Sequence, residues 1–217
     1  GDPRFHLQVL QGLLDAGDPA SAELYLEHLR DARGADGWRD GGWILVEHGH
    51  PDRALEVADS MARRFGEGRE TRFLRAGALE KMGRVDEAVS VFTALAEQYP
   101  EDAIVLNFLG YTLVERGIDA RAALPLLQKA VRLQPDNGAA WDSLGWAHFA
   151  LRNAKDAYLA LKKASRLEPL DATILEHLAD AEAALGMVEQ SALHYRQAMA
   201  LDCERTGAIL SKLAALR

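Results

Sequence analysis

The sequence predicts an all-α chain built as a solenoid of paired helices, and three observations predict it. Ala, Leu and Glu are abundant, β-branched runs are nearly absent, and only seven prolines occur in 217 residues. That composition favours helix over strand. Small residues recur on a fixed period: Ala54, Ala88, Ala123, Ala157 and Ser191 step by 34, 35, 34 and 34. A second series, Gly42, Ala76, Gly110, Gly145 and Ala179, steps by 34, 34, 35 and 34. Pro100, Pro135 and Pro169 step by 35 and 34, and Cys203 continues that series. Three independent markers on one period of this length signal units that stack as a solenoid.

Each period holds two apolar helical patterns around a turn, as in "RAGALEKMGRVDEAVSVFTAL". Gly83, Gly117 and Gly186 mark the turn, where a helix C-terminus wants a residue tolerant of positive φ. Asp86 or Asp119 then caps the following helix, and the prolines close it. One extra residue lies between Gly110 and Ala123, in "VERGIDARA", and reads as a lengthened inter-helix turn. Pro125 falls shortly inside the helix that Asp119 would cap, where it removes a backbone bond and favours a bend. The last stretch, "TGAILSKLAALR", places Ile209, Leu213 and Leu216 at i, i+4 and i+7. That face covers the open end of the final unit, with Thr206 as a candidate cap.

Net charge is −8 and the pI is near 5.4, which argues against a nucleic-acid partner. No apolar run approaches the roughly 18–20 residues of a membrane span, and no signal peptide is visible. The chain opens at Gly1-Asp2-Pro3 rather than Met, as a processed or trimmed chain does. The compartment therefore stays open between a bacterial cytoplasm and, if an export signal has been removed, the periplasm or envelope. The single cysteine, Cys203, excludes an internal disulfide.

Trp141-x2-Leu144-Gly145-x2-His148, followed by Ala157-x3-Leu161 and Pro169, resembles the tetratricopeptide repeat (TPR) pattern. His stands where Tyr is usual, and Leu where Phe is usual. The resemblance implies a right-handed α-solenoid, one superhelical domain over residues 1–217. Its repeats fall at about 3–34, 35–68, 69–103, 104–137, 138–171 and 172–205, with a terminal helix at 206–217. The likeness is strong in repeats three to six, fair in the second and weak in the first, where Ala22 to Ala54 is a step of only 32. Gly110 and Gly145 let the second helix approach closely, Ala157 and Ala164 do so from the other side, and Leu144 and Leu161 fill the space between. A bulky residue at Gly145 overpacks this contact, at a cost of roughly 1–3 kcal/mol.

In TPR proteins the first helix of each repeat lines a concave groove. An i, i+4, i+7 stripe on those helices then gives Arg39 and Trp43 in repeat two, Phe73 in repeat three, and Asn107 and Tyr111 in repeat four. Repeat five contributes Asp142, Trp146 and Phe149, and repeat six Glu176 and Asp180. These ten are the candidate partner-binding residues. "WRDGGW" and "WDSLGW" each hold two tryptophans five positions apart, about 140° around a helix. Trp38 and Trp141 therefore pack inside their repeats, while Trp43 and Trp146 face the groove or cover the next repeat. Aromatics there serve as anchors, and Asn107 can bond a ligand backbone. Asp142, Glu176 and Asp180 make one end acidic, either to receive a basic segment or as a solvated face. The cationic clamp by which some TPR domains hold a C-terminal carboxylate is absent from these positions.

No phosphate loop, nucleophile elbow or His-Glu-x-x-His pair occurs. Glu47, His48 and His50 in "EHGHPD" read as polar turn residues, His148 as a packed histidine, and Cys203 as having no chemical role. The sequence thus reads as a non-enzymatic scaffold with no cofactor and no metal, binding a peptide or protein segment. The resemblance is closest to bacterial TPR proteins, several of which help assemble envelope or secretion machinery. Self-association, or a regulatory TPR segment of a larger enzyme, is the alternative.

Overall fold

The computed structural model describes residues 8–10, 12–13, 16–17 and 19–216. Every regular element among them is helical. Most of the first helix expected in the 3–34 repeat lies outside the described residues, as does the side chain of Ala22. Packing resolves the chain into two compact units, Gly1–Gln98 and Tyr99–Arg217.

The first unit contains α1 (Pro19–Glu47), α2 (Pro51–Phe65), α3 (Arg69–Lys81) and α4 (Val85–Gln98). α1 runs through the junction expected at residues 34–35 and is broken only at Gly34, with φ 57° and ψ −136°. No proline stands near this junction to remove a backbone donor, so one helix leads into the next. α2 starts on Pro51, whose fixed φ suits a first helical position. Leu26, Leu29, Leu45, Met61 and Leu74 are fully buried between these helices.

The second unit contains α5 (Ala103–Glu115), α6 (Ala120–Leu133), α7 (Gly138–Ala150), α8 (Ala154–Leu167), α9 (Ala172–Ala184) and α10 (Val188–Leu201). A 3-10 turn, Cys203–Arg205, leads into α11 (Thr206–Ala215). Asp102, Asp119 and Asp171 each accept two backbone N–H bonds at the start of α5, α6 and α9, satisfying donors that no helical carbonyl reaches. Asp86 is not a cap, because it falls inside the first turn of α4. Thr206 is also inside its helix; Asp202 instead accepts the Glu204 N–H at the head of the 3-10 turn.

The turn between α5 and α6 is residues 116–119, one longer than the turns at 82–84, 151–153 and 185–187. The extra residue is therefore absorbed outside the helices. Pro125 sits within α6, which continues to Leu133. A Cβ added at Gly145 would lie 2.5 Å from Leu161 Cγ, and one at Gly110 would lie 2.6 Å from Leu127 Cγ. These glycines set how closely each second helix approaches. Ile209 is fully buried with Leu175, Ala179, Tyr195 and Ala198, and Leu213 and Leu216 pack alongside.

Candidate partner-binding surface

In the second unit, α5, α7 and α9 carry the predicted stripe. Asn107, Phe108 and Tyr111 on α5, Ala139 and Asp142 on α7, and Thr173 on α9 line a pocket of about 280 Å³. Three of the ten predicted residues thus share one cavity. The Asn107 amide oxygen is buried and has no hydrogen-bond partner. Such an acceptor costs about 1–3 kcal/mol while it stays unpaired.

Asp142 does not offer a free carboxylate. It is 7% exposed, and its oxygens lie 2.9 and 3.1 Å from Nδ1 of His177. Burial works to lower the His177 pKa, but the charge and hydrogen bond of Asp142, with Asp180 and Glu115 nearby, outweigh it and raise the value. Asp142 thus favours the protonated form of His177.

Trp146 is half-buried, and it packs on the neighbouring repeat. Its ring lies 4.1 Å from that of His177 at 11°, and 5.1 Å from that of Phe149 at 5°. Nε1 donates to Glu115 at 3.0 Å. The indole is therefore fixed by three neighbours, with part of its surface left open. Trp141, five positions earlier, is half-buried and donates Nε1–H to the Pro135 carbonyl at 2.9 Å.

Glu176 and Asp180 are also engaged within the chain. Lys212 Nζ reaches both, at 2.8 and 2.7 Å, and Arg205 reaches Glu176 at 2.9 Å. Burial raises the Glu176 pKa, but the bonds from Lys212 and Arg205 prevail and lower it. The Tyr195 hydroxyl donates to Asp180 at 2.6 Å, and its own pKa is pushed up by burial and by that carboxylate. The acidic stripe expected to meet a basic partner is thus neutralised by internal cations.

In the first unit, Arg39 is held by Asp40 and by Asp36 at 3.0 Å. Phe73 is 5% exposed and meets Trp43 and Phe92 at 5.1 and 5.7 Å between ring centroids. It is core, not binding surface, because Trp43 spreads over the Cβ-free face of Gly77. A Cβ at Gly77 would come within 2.5 Å of that indole. Trp43 itself stays half-buried.

His177, Glu115, Lys212 and Arg205 were not among the sequence candidates. Each meets its partner 29 to 36 residues away, about one repeat along the chain. Complementary charge at that offset is the signal that could have found His177, Lys212 and Arg205, whereas Glu115 accepts from the neutral Trp146 indole and carries no such signal. Among the described residues, no group of three His, Cys, Asp or Glu is placed to hold a metal ion. No described helix is long and apolar enough to cross a membrane.

A family model described as tetratricopeptide repeat matches residues 39–103, 73–138 and 109–164. The chain belongs to the tetratricopeptide repeat family. It is 27% identical over 136 residues to a TPR repeat-containing protein of Pseudomonas aeruginosa, a match covering 63% of this chain and 23% of that protein. The chain thus spans about a quarter of that relative's length, and the match supports a bacterial TPR protein. Among solved structures, a thermophilic TPR protein of Thermus thermophilus is similar with a TM-score of 0.70 at 20% identity, covering 83% of this chain and 97% of its own. MamA of Desulfovibrio magneticus is similar with a TM-score of 0.61 at 23% identity, over 77% and 94%. A chain of the APC/C hetero-tetramer Cut9–Hcn1 reaches 0.72 at 17% identity, over 83% and 35%. At these identities the likeness concerns the fold. TPR repeats generally act as non-enzymatic scaffolds for protein–protein interaction.

Proposed function

We propose that the second unit binds a peptide or protein segment in the pocket between α5, α7 and α9. The observation that carries this reading is a cavity of about 280 Å³ walled by Asn107, Phe108 and Tyr111, with the buried Asn107 amide oxygen left without a hydrogen-bond partner. A turn of the Asn107 amide toward the cavity brings that acceptor to an incoming backbone N–H, while Phe108 and Tyr111 provide a flat wall for an apolar side chain. The open part of Trp146 extends the contact along α7. Because Asp142 is already paired with His177, this pocket reads main chain and shape rather than positive charge.

Panning a displayed peptide library on the whole chain identifies ligands, and calorimetry measures their affinity. Asn107→Ala should weaken a selected ligand roughly tenfold, as expected for one hydrogen bond to a buried acceptor. Its melting temperature should stay level or rise, since the orphaned acceptor is gone. Unchanged affinity in Asn107→Ala would remove the pocket from the binding site.

A further inference from the structure

The pocket beside Asn107 has two acidic walls and no basic one. Asp142 and Asp171 both line it, and no lysine, arginine or histidine does. Asp171 is balanced where it stands. It accepts the Thr173 and Ile174 N–H bonds at 2.8 and 3.0 Å, and the first turn of α9 sets positive partial charge against it. Asp142 lies in the second turn of α7 and has no helix end to meet it. Among the described residues, the charge partner bonded to it is His177 on α9, with Nδ1 2.9 Å from Oδ1. Both side chains are about nine-tenths buried, and His177 stands outside the cavity lining.

The charge of this wall therefore depends on one proton. With the imidazole protonated, Asp142 and His177 cancel, and the pocket reads main chain and shape. With the imidazole neutral, the Asp142 carboxylate is uncompensated beside a partly enclosed cavity. Its field acts there over several ångströms, because little water screens it. The stacked Trp146 ring, 4.1 Å away, holds the imidazole in place. The other charges facing His177 are Glu115 from α5 and Asp180 on α9 itself. Asp180 in turn receives Lys212 from α11 and the Tyr195 hydroxyl from α10. From α8, Tyr158 packs by Leu178, and its hydroxyl accepts from Lys162. The carboxylates outweigh burial, so the neutral imidazole appears on the alkaline side of the ordinary 6.5.

We propose that Asp142 determines which ligand charge the pocket accepts, and that the proton on His177 sets it. The protonated pair takes an uncharged segment; the deprotonated pair takes a segment that places arginine or lysine in the cavity. This inference rests on the pocket being the binding site, as proposed above, and adds the control of its specificity.

The test pans a displayed random peptide library on the whole chain at pH 6 and at pH 9. Peptides selected at pH 9 should be enriched in arginine and lysine over those selected at pH 6. Selected sequences without histidine are synthesised with acetylated N-termini, so that the ligand itself stays in one charge state. By calorimetry, an arginine peptide should bind the native chain roughly tenfold more tightly at pH 9 than at pH 6. The same peptide with methionine in place of the arginine should bind equally at both. His177→Gln keeps a neutral donor toward Asp142, so it should bind the arginine peptide tightly and equally at both pH values. Asp142→Asn should lose the preference for arginine at both; should that variant fail to fold, His177→Gln carries the test. Three results overturn this inference alone, in peptides that Asn107→Ala still weakens: no basic enrichment at pH 9, no change in arginine-peptide affinity with pH, or the same change in His177→Gln. A library that yields no ligand, or ligands indifferent to Asn107→Ala, overturns the pocket reading and this inference with it.

Discussion

Arg152 occupies the position that glycine holds in the other inter-helix turns of the second and third helix pairs and beyond. Its φ is 63°, against 77°, 64° and 74° at Gly83, Gly117 and Gly186. An L-residue in this left-handed region carries roughly 1–2 kcal/mol of strain. Arg152 is exposed, so little packing is lost on removing its side chain. Arg152→Gly relieves the strain and gives back part of the gain through the freer unfolded chain. The net expectation is a stabilisation of about 0.5–1 kcal/mol, a rise of a few degrees in melting temperature by calorimetry. At this scale the sequence was informative wherever one residue answers to one local demand. Gly145 and Gly110 were legible because close helix approach excludes a Cβ. Phe73 was misread as surface because its burial depends on Trp43 lying over Gly77, a fit between two helices that no single pattern records.

The α5–α6 turn shows how an element absorbs a change of length. In the three-residue turns the last residue donates its N–H five positions back, Arg84 to Leu79, Asn153 to His148 and Met187 to Glu182. In the longer turn Ile118 makes this bond to Leu113, at 2.9 Å, and Asp119 reaches the same carbonyl at 3.2 Å. Deleting Ile118, which is 47% exposed, lets Asp119 take the bond and restores the three-residue length. The deletion should leave helix content unchanged by circular dichroism and lower stability by no more than about 1 kcal/mol, the value of an aspartate cap if Asp119 can no longer serve α6. A loss several times larger would mean that the extra residue sets the packing of α6. Elements were readable because caps, turns and apolar faces are written within one period. The ion pairs were not, because each joins a stripe residue to a side chain off the stripe one repeat later, as Asp142 does with His177.

At the scale of the molecule, stability in a stacked fold is a sum of repeat and interface terms, and His177 lies in one such interface. The charged groups facing it are Asp142 on α7, Glu115 on α5 and Asp180 on its own α9. Together they raise its pKa above the ordinary value of 6.5 despite burial. The folded chain therefore keeps a proton that the unfolded chain releases as pH rises past about 6.5. The stabilisation is fully present below that pH and is lost as pH climbs through the raised folded value. The second unit should accordingly lose stability above pH 6.5, by about 1.4 kcal/mol for each unit of upward shift. His177→Gln can still donate to Asp142 but cannot titrate, so it should flatten this slope. Urea unfolding from pH 6 to pH 9, followed by tryptophan fluorescence, reads the effect, because one of the four indoles, Trp146, stacks on His177. Phosphate-free buffers at constant ionic strength keep screening of the surface pairs level across the series. If the native chain and His177→Gln show the same pH slope, the imidazolium–carboxylate contact does not hold these repeats together.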